Sequence, residues 1–146
     1  MENKSFIEEM IMVFGKSILS HTGHNSKRIS FSIDPEALVK ISEFLITKKK
    51  FRFIIASGLH SKKGFEILYH FSYDISGHII NLNVLLQHEK PEIASLTSIS
   101  SAANWIEREI HELLGINFTG HPGLVPLISK DNWPEGTYPY RKDFTL

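Results

Sequence analysis

The C-terminal segment, residues 116–146, constrains the fold most, because it has no helical or strand periodicity. It holds four of the six prolines and a set of large aromatic side chains: Phe118, Trp133, Tyr138, Tyr140 and Phe144. Proline removes backbone donors and interrupts regular elements, so the segment cannot form a core of its own. Disordered linkers are poor in aromatic residues. The sequence therefore predicts an extended arm, residues 116–146, that lies on another surface, either its own domain or a partner chain.

Residues 1–115 are expected to form one α+β domain, a mixed or antiparallel sheet with helices packed on it. Apolar spacing predicts a helix over 3–20, a polar break at 21–25 and a strand at 28–33. Asp34 and Pro35 predict the start of a helix that the lysines at 48–50 close. Strand-like runs at 51–59, 65–73 and 78–86, separated by short polar or glycine-containing breaks, predict an antiparallel meander. A short helix is expected at 92–97, and a longer one at 101–114, capped by Ser100 or Ser101 and ended by Gly115.

Composition excludes several classes of protein. Lys plus Arg and Asp plus Glu both number 16, which argues against a basic nucleic-acid binder. No cysteine is present, so the chain cannot hold an iron–sulfur cluster through its own thiolates. The beginning of the sequence has no signal-peptide core, and no apolar run approaches about 20 residues. These features lead us to expect a soluble cytosolic chain.

Motifs for catalysis are weak. His111 and Glu112 begin like a zinc-protease helix, but Gly115 stands where the second histidine should be. A stand-alone acid/base enzyme using His111, His121 and Glu112 stays open as an alternative. A nucleic-acid module using Lys48–Arg52 and Lys62–Lys63 is a third. The histidines in or beside the strands are expected at solvent faces or hairpin ends: His60, His70, His78 and His88.

Local sequence patterns assign no function to either of two clusters of charged residues. Glu107, Arg108 and Glu109 point in three directions about 100° apart on a helix, so at least one should lie at the edge of the apolar face. A solvated helix side with an Arg108–Glu112 pair is the simpler interpretation. The second cluster, residues 141–143, lies inside the aromatic arm.

Together these clusters and the segment between them resemble a known family. Residues 107–122 (EREIHELLGINFTGHP) are similar to the signature of the 30-kDa-subunit family of respiratory complex I, and residues 131–144 (DNWPEGTYPYRKDF) to its closing motif. The match covers about the last 40 residues. Val125 stands where the family usually has a basic residue, and Tyr140 where leucine is common, so some partner contacts should differ.

The resemblance implies a non-catalytic subunit of a membrane-bound redox complex, on the cytoplasmic side, that touches the membrane only through the complex. It implies no cofactor in this chain, and iron–sulfur clusters and possibly a Ni–Fe centre in partner subunits. The partners would be a hydrogenase-like large subunit and an iron–sulfur small subunit, without nucleic acid. The residues found in both motifs favour the energy-converting hydrogenase or formate hydrogenlyase branch. The end of the chain directly after the second motif favours the same branch. The alternative is a NADH:quinone or F420H2 dehydrogenase.

The residues expected to contact a partner come from both motifs and from the arm between them: Glu107, Arg108, Glu109, Phe118, Gly120, His121, Pro122, Asp131, Trp133, Tyr138, Pro139, Tyr140, Arg141, Lys142 and Asp143. We expect Arg141 and Glu107 or Glu109 to make desolvated charge-assisted contacts there.

Overall fold

A computed structural model describes residues 2–129 and 132–145 of the chain. The elements, in chain order, are α1 (Asn3–Phe14), β1 (Ile18–Asn25), β2 (Arg28–Ile33), α2 (Leu38–Glu43, continued by a π-helical turn at Phe44–Lys48), β3 (Arg52–His60), β4 (Phe65–Tyr73), β5 (His78–Leu86), β6 (Glu92–Ala94), α3 (Ala103–Leu114) and β7 (Asn117–Thr119). Short 3-10 turns precede β1 and α2. None of the helices in the described ranges is long and apolar enough to cross a bilayer.

The main sheet has five strands in the order β1-β2-β5-β4-β3. Strands β3, β4 and β5 pair antiparallel as consecutive hairpins, so the predicted meander is confirmed. β2 runs parallel to β5, which makes the sheet mixed. A second, two-stranded parallel sheet joins β6 to β7. The α+β prediction is confirmed.

One face of the main sheet carries the hydrophobic core. Buried residues alternate along β4 and β5, and the same cluster takes in residues from all three helices. From α1, Phe6 lies 6.3 Å from Phe31 and 5.7 Å from Phe51, measured between ring centroids. At β3 the close approach of α3 requires Gly58, because a Cβ there would lie 2.9 Å from Leu114 Cδ1. This contact places α3 over the β3 edge, where the arm begins.

The N-terminal prediction needs correction. The predicted helix at 3–20 ends at Phe14, where Gly15 adopts a positive φ of 49°. The residues that follow form β1, although 21–25 were predicted as a break. β1 is an edge strand, and all but its first residue are exposed. An exposed polar strand has no alternation of apolar residues for a sequence pattern to detect.

Three further local predictions are wrong. The expected helix at 92–97 is strand β6, whose Ile93 is held beside Phe118 of β7. No serine side chain caps α3, whose N-cap is Ala102. The arm is not wholly without regular structure, since β7 belongs to it. By contrast, Asp34 Oδ1 accepts the amide of Glu36 at 3.0 Å as predicted, although that turn is 3-10.

Two strand histidines lie where they were predicted, His78 at a hairpin end and His70 on the less buried face of the sheet. His78 is buried, because its ring lies at the tight β4–β5 turn and its Nδ1 is 2.6 Å from Ser76 Oγ. His70 takes part in a ladder of side chains that crosses all five strands of the less buried face: Ser57 Oγ, His70, Asn81, Ser30 Oγ and His24 are joined in that order at 2.8–3.2 Å. These rings satisfy each other's polar groups rather than converge on a reaction site.

Candidate functional site

The arm lies against α3 of its own chain, and side chains of α3 hold its backbone. We call this contact the α3–arm junction; it joins Arg108 and residues 112–115 of α3 and its end to residues 125–129 and 138–141 of the arm. Some backbone groups of the arm pair within its own turns, as the amide of Thr137 does with the carbonyl of Pro134. Others pair with α3, because buried or half-buried backbone groups need a partner.

Glu112 forms the densest contact of the junction. Its carboxylate accepts the amides of Leu127, Ile128 and Ser129 at 2.8, 2.9 and 2.6 Å, and also the hydroxyl of Ser129. Burial by itself raises the pKa of Glu112, but these donors outweigh it and lower that pKa to about 2. Glu112 is therefore ionised at neutral pH and fixes one turn of the arm.

Arg108 reaches the preceding residues of the arm. Its Nε donates to the carbonyl of Val125 and its Nη2 to the carbonyl of Pro126, both at 2.9 Å. The predicted Arg108–Glu112 pair is absent from the described residues, because both side chains are used on arm backbone. Such an i, i+4 pair contributes only a few tenths of a kcal/mol, less than satisfying several backbone groups.

Arg141 anchors the far end of the arm. Its Nε donates to the carbonyl of Leu114 at 2.7 Å, and its guanidinium carbon lies 4.3 Å from the ring centroid of Tyr138 and 4.9 Å from that of Phe65. The carbonyl belongs to the last turn of α3, where the helix dipole favours a cation. Gly115, in the left-handed conformation with φ 73°, leaves the space for this clamp, since a Cβ would lie 2.6 Å from Arg141 Nη2.

Glu107 has a different role from the one predicted. It is completely buried, and its carboxylate accepts Ser95 Oγ at 2.5 Å and the amide of Leu96 at 2.7 Å. Burial raises the pKa of Glu107, while these two donors lower it in part. Because no surface of Glu107 is exposed, we remove it from the predicted partner contacts; it ties α3 to the loop after β6.

We expect Glu107→Ala to lower the free energy of unfolding by about 2–4 kcal/mol, because it leaves the Leu96 amide and the Ser95 hydroxyl buried without an acceptor. Urea denaturation at pH 7 measures this loss. Glu109→Ala is the matched control, since Glu109 is a half-buried residue of the same helix. Equal stability of the two variants would contradict the assignment.

The other predicted contact residues divide by exposure. Phe118 is buried in β7, so it too has no surface for a partner. Half-buried positions are Arg108, Glu109, His121, Tyr138, Pro139 and Arg141. Exposed positions are Gly120, Pro122, Trp133, Tyr140, Lys142 and Asp143. Asp131 lies outside the described residues.

Several large apolar side chains of α3 and the arm are exposed. Tyr140 is 67% exposed although its amide donates to the carbonyl of Leu113. Trp105, one turn before Arg108 on α3, is 70% exposed, and Val125 and Ile128 are also largely exposed. Large aromatic residues in the open are typical of binding surfaces. We call Trp105, Val125, Ile128, Trp133 and Tyr140 the outer apolar residues.

A pocket of about 480 Å³ opens between the end of α3 and the arm. Among the residues that the structure describes, its lining includes Trp133, Tyr138 and the carboxylates of Glu112 and Glu135, and no Lys or Arg. The Nδ1 of His111 donates to the carbonyl of Ile116 at 2.8 Å, which leaves Nε2 as an acceptor in the neutral ring. The pocket therefore offers acceptors and aromatic faces, which suit a cationic side chain.

The residues of the acid/base alternative are engaged elsewhere. His121 Nδ1 accepts the amide of Gly123 at 3.0 Å, so its Nε2 donates to the carbonyl of Asn104 at 3.1 Å. The Glu112 carboxylate is occupied by four donors. Within the described ranges no three His, Asp or Glu side chains are grouped so that they could hold a metal ion, and the sequence has no cysteine.

Two cations of the nucleic-acid alternative are neutralised. Lys49 pairs with Glu9, and Arg52 forms a two-pronged contact with Asp74 at 2.8 and 2.9 Å. The net charge of zero gives the chain no overall attraction to backbone phosphates.

Sequence reasoning missed several residues of the site. Glu112 was considered as an acid/base group and as the partner of Arg108, and its spacing to residues 127–129 carries no periodic signal. No sequence signal separates Trp105 from Glu107, since both flank Ile106 on α3 and only Glu107 is buried. His60 accepts the amide of Lys142 at 3.0 Å, a contact between residues 82 apart that no local pattern indicates.

Comparison with known proteins agrees with this architecture. Residues 31–146 match the family model of the respiratory-chain NADH dehydrogenase 30 Kd subunit. The chain is 32% identical to the C subunit of the F(420)H(2) dehydrogenase of Methanosarcina mazei, over 99% of this chain and 92% of that protein. It is 33% identical to the C subunit of the NADH-quinone oxidoreductase of Roseiflexus castenholzii, over 81% of this chain and 70% of the relative.

Two solved structures have the same fold. One is a chain of the membrane-bound sulfane sulfur reductase, an archaeal respiratory membrane complex, with TM-score 0.86 and 21% identity over 98% of this chain and 85% of the other. The second is a trypsin-resistant fragment of Nqo5, with TM-score 0.71 and 20% identity over 85% of this chain and all of the fragment. The family match begins within β2 and spans α2, the whole meander, α3 and the arm. The chain therefore belongs to the family of the 30 Kd subunit of respiratory-chain NADH dehydrogenase and is a subunit of a complex I-like assembly.

Proposed function

We propose that the chain is a non-catalytic structural subunit in the peripheral arm of a membrane-bound redox complex. In this role it binds the hydrogenase-like large subunit and holds it beside the iron–sulfur small subunit. The complex would lie on the cytoplasmic side of the membrane, with iron–sulfur clusters, and a Ni–Fe centre in the hydrogenase branch, in the partner subunits.

One observation carries this proposal: the arm is fixed to α3 through its backbone, while the outer apolar residues remain exposed. A segment that is ordered before binding loses little conformational entropy on binding. Trp133 and Tyr140 are residue types that dominate binding energy at interfaces. The combination supports a preformed docking surface more than a flexible tether.

The pocket between α3 and the arm indicates which kind of partner side chain would bind there. The carboxylate of Glu135 and the rings of Trp133 and Tyr138 favour an arginine or lysine side chain of the large subunit, while the Glu112 carboxylate is already engaged by the arm. We therefore expect the contact to combine apolar burial along the arm with one cation inserted near Glu135.

The branch of the family stays a proposal. The residues found in the two motifs favour the energy-converting hydrogenase or formate hydrogenlyase type. A second candidate is a subunit of an F420H2 or NADH:quinone dehydrogenase, favoured by the 32% identity to the F(420)H(2) dehydrogenase protein over nearly the whole chain.

Affinity purification from detergent-solubilised native membranes tests both the proposed subunit role and the branch of the family. A tagged copy of the chain should bring down a large subunit and a cluster-bearing small subunit, identified by mass spectrometry. Paired Cys-x-x-Cys motifs near both ends of the large subunit would indicate the hydrogenase branch, and their absence the dehydrogenase branch. A tagged, unrelated soluble protein of similar size is the control. Recovery of the chain alone would contradict the proposal.

A further inference from the structure

The end of β3 meets the end of the arm at a pair of histidines. His60, the last residue of β3, accepts the backbone amide of Lys142 on its Nδ1 at 3.0 Å. Its Nε2 lies 3.1 Å from Nδ1 of His88. The His60 ring is stacked on Phe65, with 4.5 Å between ring centroids, so its orientation is fixed.

These contacts determine where the protons lie. An amide N–H can only donate, so His60 Nδ1 carries no proton. The neutral ring then has its proton on Nε2 and donates it to His88, whose Nδ1 must also be unprotonated. The observed arrangement is therefore the neutral form of both rings.

We propose that His60 is a proton-sensitive latch that holds the last residues of the arm, Lys142–Thr145. When the ring takes up a proton, Nδ1 becomes a donor and faces another donor, the amide of Lys142. The hydrogen bond is lost and the segment leaves β3. This inference concerns the chain alone and does not depend on any partner.

The surroundings of His60 favour the closed state at neutral pH. Burial lowers the pKa of His60, and the charges of His88, Arg141 and Lys142 lower it further, against the opposing effect of Asp143. A histidine whose pKa is lower in the docked state contributes stability that is complete above its ordinary value of about 6.5. That contribution is lost as the pH falls below this value. The latch therefore opens on acidification.

The segment that opens contains two of the predicted partner-contact residues, Lys142 and Asp143. It also contains Phe144, whose ring meets Trp133 edge-on at 5.5 Å between centroids. The clamp formed by Arg141 uses no histidine, so the arm before residue 141 should stay in place when the latch opens. The opening is thus local to the tip of the arm.

Nuclear magnetic resonance of the full-length, 15N-labelled chain between pH 5 and 8 tests the latch. We expect the amides of Lys142–Thr145 to titrate with the same midpoint as the His60 ring, below about 6.5. Their heteronuclear NOE should fall at the acidic end. His60→Phe keeps an aromatic ring on Phe65 but removes the acceptor, so the segment should be detached at every pH.

His24→Phe is the matched control, because His24 is exposed on β1 and bonds only to Ser30 among the described residues. Its titration of Lys142–Thr145 should equal that of the unmodified chain. The proposal is overturned if those amides do not change while the His60 ring titrates. The unmodified chain suffices for this outcome, so poor folding of His60→Phe would not rescue the idea.

Discussion

Replacing Arg141 with glutamate is expected to lower recovery of the large subunit at least tenfold in a co-purification, while the domain itself still folds. The new carboxylate cannot donate to the Leu114 carbonyl that Arg141 reaches at 2.7 Å, and it faces the negative end of α3. It also loses the contacts of the guanidinium with the rings of Tyr138 and Phe65. Truncating one partner of a desolvated charged contact typically costs about 2–5 kcal/mol.

Arg28→Glu makes the same change of charge at an exposed position of β2 and should leave recovery unchanged. Circular dichroism and thermal denaturation of each variant show whether the domain is intact. Full recovery of the large subunit with Arg141→Glu would contradict both the role of Arg141 as a clamp and the proposed docking surface.

Gly115→Ala separates the position of the arm from the charge of Arg141. A Cβ at this residue would lie 2.7 Å from the Tyr138 ring and would sit on a left-handed backbone, so the clamp must move although its charge remains. Loss of binding in both variants indicates that the placement of the arm matters. Loss with Arg141→Glu alone indicates a direct charged contact with the partner.

The sequence predicted the elements in which the spacing of apolar residues matches their burial. β4 and β5 alternate because one face is more buried than the other, whereas a register shift between Phe53 and Ile55 interrupts β3. Gly115 marks the end of α3 because a left-handed residue is needed there. β1 has no such alternation, since it lies at an exposed edge. β6 and β7 have only three residues each, too few to show a period.

The site was predictable as a region but not as a set of contacts. The two charge clusters and the aromatic arm led to the prediction of a partner surface in this region. They did not reveal that Glu107 is buried against the loop after β6, or that Arg108 and Arg141 hold backbone carbonyls of their own chain. Side chain-to-backbone bonds between distant segments depend on the tertiary path of the chain and leave no period in the sequence. What was assigned to a partner is in part the internal fixing of the arm.

Glu112→Gln is expected to release residues 127–129 from α3 and lower the stability of the arm's docking by about 2–3 kcal/mol. A glutamine has one acceptor oxygen and directs an NH2 group at backbone amides that the carboxylate accepted. Hydrogen exchange at pH 7 should show the amides of Leu127, Ile128 and Ser129 exchanging at least tenfold faster than in the unmodified chain.

The pH dependence gives this prediction a second, independent measurement. The pKa of Glu112 is lowered from 4.5 to about 2, so the folded state holds fewer protons on this group than the unfolded state does. Its contribution is therefore complete above about 4.5 and is lost as the pH falls towards 2. The difference in melting temperature between the unmodified chain and Glu112→Gln should shrink over that interval. Glu109→Gln removes a charge from the same helix without touching residues 127–129 and should show no such trend. A difference that is constant from pH 7 to pH 2 would mean that the carboxylate does not hold the arm.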